Sequence, residues 1–118
     1  MSSSSPAYVD FVIEQLAPIK DLAHGRFFGG IGLTASSTQF AMVMGNSLYF
    51  VVDGSTRAQY EKMGSPCFGY NTKRGRVEVK KYFQVPGELL EEPAKLVALA
   101  MESIEVARKL NKPGKKTI

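Results

Sequence analysis

Between Arg26 and Val52 the chain advances in short apolar runs rich in aromatic and branched residues, broken by Gly29-Gly30, Gly32, Ser36-Ser37-Thr38 and Gly45-Asn46. That pattern predicts a meander of strands. The clearest hairpin joins Phe40–Met44 to Leu48–Val52, because Gly45-Asn46 readily adopts the positive φ values of a tight two-residue turn. A second pair is expected through Pro66–Tyr70 and Arg76–Val85, with residues 71–75 as an exposed basic turn. Val77, Val79 and Lys81 alternate there with Glu78, Lys80 and Tyr82, the period of a strand, and the pattern leaves open which face meets the core at Tyr82-Phe83.

Helical signals frame these strands. Ser5 before Pro6 is a helix start, since serine caps free N–H groups and proline at the first helical position loses no hydrogen bond. Tyr8, Val9, Val12, Ile13 and Leu16 then fall on one stripe, and Pro18 ends the regular helix near Leu16. Asp53, Ser55 and Thr56 are placed to cap a short helix from Thr56 to Met63, closed by Gly64. A last helix begins near Pro93 with Leu96, Val97, Ala100, Met101, Ile104 and Leu110 as its stripe. The order is α, three or four strands, α, two strands, α, which predicts an α+β fold: an antiparallel sheet with helices packed on it.

A chain of 118 residues fits one domain, expected over residues 8–111 between a flexible start (1–7) and a basic tail (112–118). The net charge of +4 suggests nucleic-acid binding until it is divided along the chain. Residues 1–107 carry ten basic and eleven acidic side chains, so the excess comes from the end, at Arg108, Lys109, Lys112, Lys115 and Lys116. Lys73, Arg74, Arg76, Lys80 and Lys81, opposed only by Glu78, form a second basic cluster on the predicted hairpin. One hairpin and one tail are weaker support for DNA binding than a basic recognition helix. A single cysteine, Cys67, excludes an internal disulfide framework and a thiolate-rich zinc site. With no signal-like start and no run of about 18 apolar residues, a soluble, cytoplasmic protein is expected.

Several segments together resemble the N-terminal domain of the TfoX/Sxy competence regulators. Gly25-Arg-Phe-Phe-Gly-Gly-Ile-Gly-Leu33 is similar to that family's Arg-x-Met-Phe-Gly-Gly-x-Gly-Leu segment, with Phe27 in the methionine position. Further matches are Phe40–Val43, Leu48-Tyr49 with Asp53, Thr56-Arg57, Gly64–Phe68 with Tyr70, and Tyr82–Pro86 with Leu89, Leu90, Pro93 and Leu96. The resemblance spans Tyr8 to Leu110 and implies a two-layer α-β(3)-α-β(2)-α fold similar to secretion-chaperone-like domains. It also implies a link to competence control alongside a transcription regulator. The family's regulators carry a further C-terminal helical domain, so a stand-alone relative of the N-terminal domain is expected.

Each candidate site has a structural alternative. The segment holding Arg26, Phe28, Gly29, Gly30 and Gly32 lacks the Lys-Ser/Thr ending and the spacing of a phosphate cradle. Its glycines are expected to supply a bulge or tight turn, with Phe28 and Leu33 filling the core. Arg26 is expected to bond local carbonyls or a carboxylate rather than a ligand. Cys67 and His24 are the one possible Cys-His pair, but Cys67 is expected as a small buried hydrophobe and His24 in a connection. Glu88, Glu91 and Glu92 are expected to favour the start of the last helix. The sequence therefore points to a non-enzymatic binding or regulatory module with no cofactor and no metal, acting on a protein partner through its sheet edge or the basic hairpin of Lys73, Arg74, Arg76, Lys80 and Lys81. The alternatives are direct nucleic-acid binding by residues 73–81 with the basic tail, and, third, a small-molecule enzyme.

Overall fold

The Ser5 hydroxyl accepts the Tyr8 N–H at 3.2 Å and opens helix α1 (Pro6–Gln15), which buries Val9 and Val12 and hands over to the buried Leu16. The computed structural model describes residues 5–110; the tail from Lys112 onward and the first four residues lie outside them. Strands β1 (Leu22–Phe27), β2 (Gly30–Ala35), β3 (Thr38–Met44) and β4 (Ser47–Val51) follow as a meander. Four strands thus precede the second helix where the resemblance implied three. The first begins at Leu22, not Arg26, because Asp21 at φ 58° turns the chain and both its carbonyl and its carboxylate bond Ser36 at the far end of β2. The two-residue turn at Gly45-Asn46 is present, with Gly45 at φ 61°.

After β4, Asp53 accepts the N–H groups of Ser55 and Thr56, bonds that hold its carboxyl below its ordinary pKa, the Thr56 amide contributing most. Helix α2 (Arg57–Lys62) is short and ends before Gly64 at φ 77°. Strands β5 (Cys67–Thr72) and β6 (Gly75–Gln84) form the second hairpin, and its turn is tighter than expected, only Lys73 and Arg74. A 3-10 turn over Gly87–Glu91 leads into α3 (Pro93–Leu110), where Glu92 accepts the Leu96 N–H through its carbonyl and pairs with Lys95.

All pairings are antiparallel, in the order β1-β2-β3-β4-β6-β5. Register places Ile31, Leu33, Ala41, Val43, Leu48, Phe50 and Phe83 on one face, since Leu33 opposes Ala41, Ala41 opposes Phe50, and Phe50 opposes Phe83. The helices pack there: Leu96, Ala100, Ile104 and Ala107 of α3 are buried against β3 and β4, and the Tyr60 ring of α2 lies 6.2 Å from Phe83. Burial raises the Tyr60 pKa, with Glu102 adding to the shift. Phe40, Phe50 and Leu33 are fully buried, each worth about 1.5–3 kcal/mol in transfer from water. The result is a two-layer α+β fold.

The stripe of α3 departs from expectation at its middle and at its C-terminal end. Met101 and Leu110 are half exposed, while Ser103, Val106 and Ala107 are buried. Ser103 sits where β3 and β4 part company beyond the Ala41–Phe50 pair, and its hydroxyl lies 2.7 Å from the Phe40 carbonyl oxygen and 3.0 Å from that of Val51. One hydroxyl proton is thus shared between two backbone acceptors that lie just past the end of the β3–β4 ladder. Replacing Ser103 with Ala removes this buried donor from both, and we expect a loss of about 1–3 kcal/mol of unfolding free energy by urea denaturation.

Candidate functional site

The turn between β1 and β2 contains only Phe28 and Gly29, at φ 46° and 83°. Positive φ at both central positions is the pattern of a type I′ turn, which matches strand twist and favours Asn or Gly. A bulky side chain there is strained by roughly 1–2 kcal/mol. Phe28 is also 88% exposed, so it does not fill the core as expected; only Leu33 of the pair does. Its one ring contact is edge-on to Phe27 at 4.7 Å. Gly30 is fixed by a different constraint: a Cβ on it would fall inside the Val43 carbonyl oxygen and 2.6 Å from the Met44 sulfur.

Phe27 and Phe28 overhang the sheet face opposite the helices. Register puts Met42, Tyr49, Val51 and Tyr82 on that face, and no helix of the described residues packs there. The β5–β6 hairpin approaches it from the other side. Cys67 pairs with Phe83 but Phe68 pairs with Val79, so residues 80–82 of β6 stand between consecutive β5 partners as a large bulge, a device that bends strands. Past the bulge, the Phe68 ring meets Tyr49 edge-on at 5.3 Å, and Tyr70 follows at 6.2 Å from Phe68. Between the two hairpins lies a groove of about 470 Å³, walled by Phe27 and Phe28, Met42 and Met44, Phe68 and Tyr70, and Val79 and Tyr82. Its lining is almost wholly apolar. The Tyr82 hydroxyl accepts from Gln39 at 3.2 Å, and burial raises its pKa.

The basic cluster forms the rim and tip of the same hairpin. Lys73, Arg74, Arg76, Lys80 and Lys81 are all exposed. Lys81 Nζ stands 5.8 Å from the Tyr82 ring centre. The Arg76 guanidinium lies across Gly69 and 3.4 Å from Asn71 Oδ1. Its charge reaches Tyr49, whose pKa is raised by burial but lowered by the Ser47 hydroxyl and by Arg76. Ion pairs among the described residues join Arg57 to Glu61, Lys95 to Glu92 and Arg108 to Glu105; none involves the hairpin cations.

Arg26 points elsewhere. With His24, Asp10 and Pro6 it lines an open recess of about 430 Å³ between α1 and β1. Its side chain makes no hydrogen bond or ion pair among the described residues, contrary to the local bonding expected of it; it stands on the outermost strand of the sheet, with Asp10 in the lining of the same recess. His24 belongs to β1 and not to a connection; Gly32 packs under the Gln39 side chain. Cys67, half-buried on β5, stands at the opposite edge of the sheet from His24, so the two do not form a nucleophile pair. Gly29-Gly30 opens a strand, not a helix, and so offers no helix N-terminus to an anion. No cluster of three metal-ligating side chains occurs among the described residues, and no helix there is long and apolar enough to cross a membrane. The groove itself escaped the sequence: its members come from four strands and a turn, and the exposed phenylalanine resembled a core residue.

The family model of the TfoX N-terminal domain matches residues 14–107. The chain is also 31% identical over 89 residues to the DNA transformation protein TfoX1 of Aliivibrio fischeri, across 71% of this chain and 42% of that protein. It thus spans less than half the length of that relative.

Strain and exposure at Phe28 make a prediction. Phe28→Asn relieves the left-handed conformation and loses one solvated ring contact, so thermal and urea unfolding should show stability unchanged or raised by up to about 1 kcal/mol. A larger loss would mean that Phe28 serves folding. Gly30→Ala, by contrast, should cost more than about 2 kcal/mol in the same assay, since backbone must move.

Proposed function

The chain belongs to the TfoX N-terminal domain family, and we propose that it is a non-enzymatic regulatory module that works by contacting another protein in the cytoplasm. The observation that carries this is the exposed, strained Phe28 over an apolar groove. Backbone strain persists where something other than folding requires it, and a large aromatic beside a concave apolar surface is the composition of interface centres. The similarity to a DNA transformation protein supports a role connected with transformation; the partner class in this reading is a transcription regulator.

Catalysis is poorly served by comparison. The groove offers tyrosine hydroxyls but no base or nucleophile, and the recess at Arg26 is open to solvent. Direct nucleic-acid binding is the second reading, favoured by the unpaired hairpin cations. Phosphate neutralisation makes such binding steeply salt-dependent.

Pull-down from nuclease-treated lysate of the native cell, followed by mass spectrometry, separates the two. We expect the wild type to retain one protein that Phe28→Asn does not retain. Loss of all captured material on nuclease treatment, together with low-salt DNA affinity abolished by the double variant Arg74→Glu, Arg76→Glu, would overturn the protein-contact reading.

A further inference from the structure

We infer that the groove between the Phe28 turn and the β5–β6 hairpin receives a peptide segment of another protein in which an apolar side chain is flanked by Asp or Glu. The inference rests on the protein-contact reading above and adds the chemistry of the partner. Two properties of the site set that chemistry. The floor and walls, Met42, Met44, Phe68, Val79 and the two tyrosine rings, present almost no hydrogen-bonding groups, and about 470 Å³ is room for a cluster of apolar side chains. Methionines adapt their shape to such an insert. The rim along one wall is cationic: Lys80 and Lys81 follow Val79 directly, Lys81 sits over the Tyr82 ring, and Arg76 acts on Tyr49. These cations have no carboxylate partner within the described chain, and only Glu78 opposes them on the hairpin.

Charge also disfavours the other occupants. A second copy docked groove to groove about a twofold axis would bring one basic hairpin against the other, because such an interface pairs like surfaces. Residues 111–118 of this chain carry Lys112, Lys115 and Lys116 and no acidic residue, so they are repelled from the same rim. Single-stranded nucleic acid uses open aromatic platforms on which bases stack. Here the aromatic rings wall a concavity whose floor is methionine, and base edges would find few partners.

The test is a display library of random peptides panned on the purified full chain, with an enriched peptide synthesised carrying fluorescein. We expect enrichment of a leucine, phenylalanine or tryptophan next to Asp or Glu. Anisotropy titrations should then show binding that weakens with added salt, as screened charges require, and that drops about tenfold with Phe28→Asn and about tenfold with the double variant Lys80→Glu, Lys81→Glu, a 1.4 kcal/mol change each. Circular dichroism of both variants establishes that they remain folded.

Enrichment of nothing, or of neutral or basic peptides, overturns the inference, as does displacement of the peptide by oligothymidine at equal concentration. If acidic flanks fail while Phe28→Asn still abolishes capture of the cellular protein, only the partner chemistry falls. If neither binding nor capture depends on Phe28, the protein-contact reading falls with it.

Discussion

A sheet that carries its helices on one side has to dispose of the other, and in this chain the bulge at residues 80–82 of β6 does so. By taking three residues on β6 between neighbouring partners on β5, it carries the second hairpin beyond the edge of a flat sheet until Phe68 meets Tyr49. The remaining features follow from that bend. Met42 and Val51, which register assigns to the helix-free face, are nonetheless buried. The groove exists because the bend stops short of the β1–β2 turn. The cations of the hairpin come to line an apolar surface instead of standing alone in solvent.

On the opposite side the same sheet is closed by α3, and there the difficulty is backbone polarity rather than apolar area. Where β3 and β4 separate, each carbonyl beyond the ladder needs a donor, and the hydroxyl that reaches two of them belongs to a buried residue, Ser103. A polar residue in an otherwise apolar stripe is thus required by the sheet beneath it, not tolerated by the helix that carries it.

These two features mark where the sequence was legible and where it was not. Turn chemistry revealed the Gly45-Asn46 hairpin, the Ser5-Pro6 helix start and the Gly64 helix end, because each rests on a local preference of one or two residues. Alternation located β6 and left open the face of Tyr82-Phe83, because the bulge interrupts the period at that point; both residues are buried, on opposite faces. Ser103 was invisible because its partners, Phe40 and Val51, lie far away in sequence. Phe28 was misplaced for the converse reason: an aromatic among glycines resembles core, and nothing local shows that it occupies a left-handed turn position. The basic cluster was correctly located by counting charges, but its neighbours in the groove come from the other end of the sheet.

Strand order carries one last consequence, for the path by which the chain acquires this shape. Four of the five pairings join strands adjacent in sequence, closed by turns of two residues, and only β4 with β6 reaches across an intervening helix and strand. Because closing a long loop must be met before its contacts form, strand order predicts that the two hairpin systems assemble before their union. That union is also the moment at which Phe68 comes over Tyr49. The surface that distinguishes this molecule therefore has no precursor in either half: it arises at once, with the completed sheet.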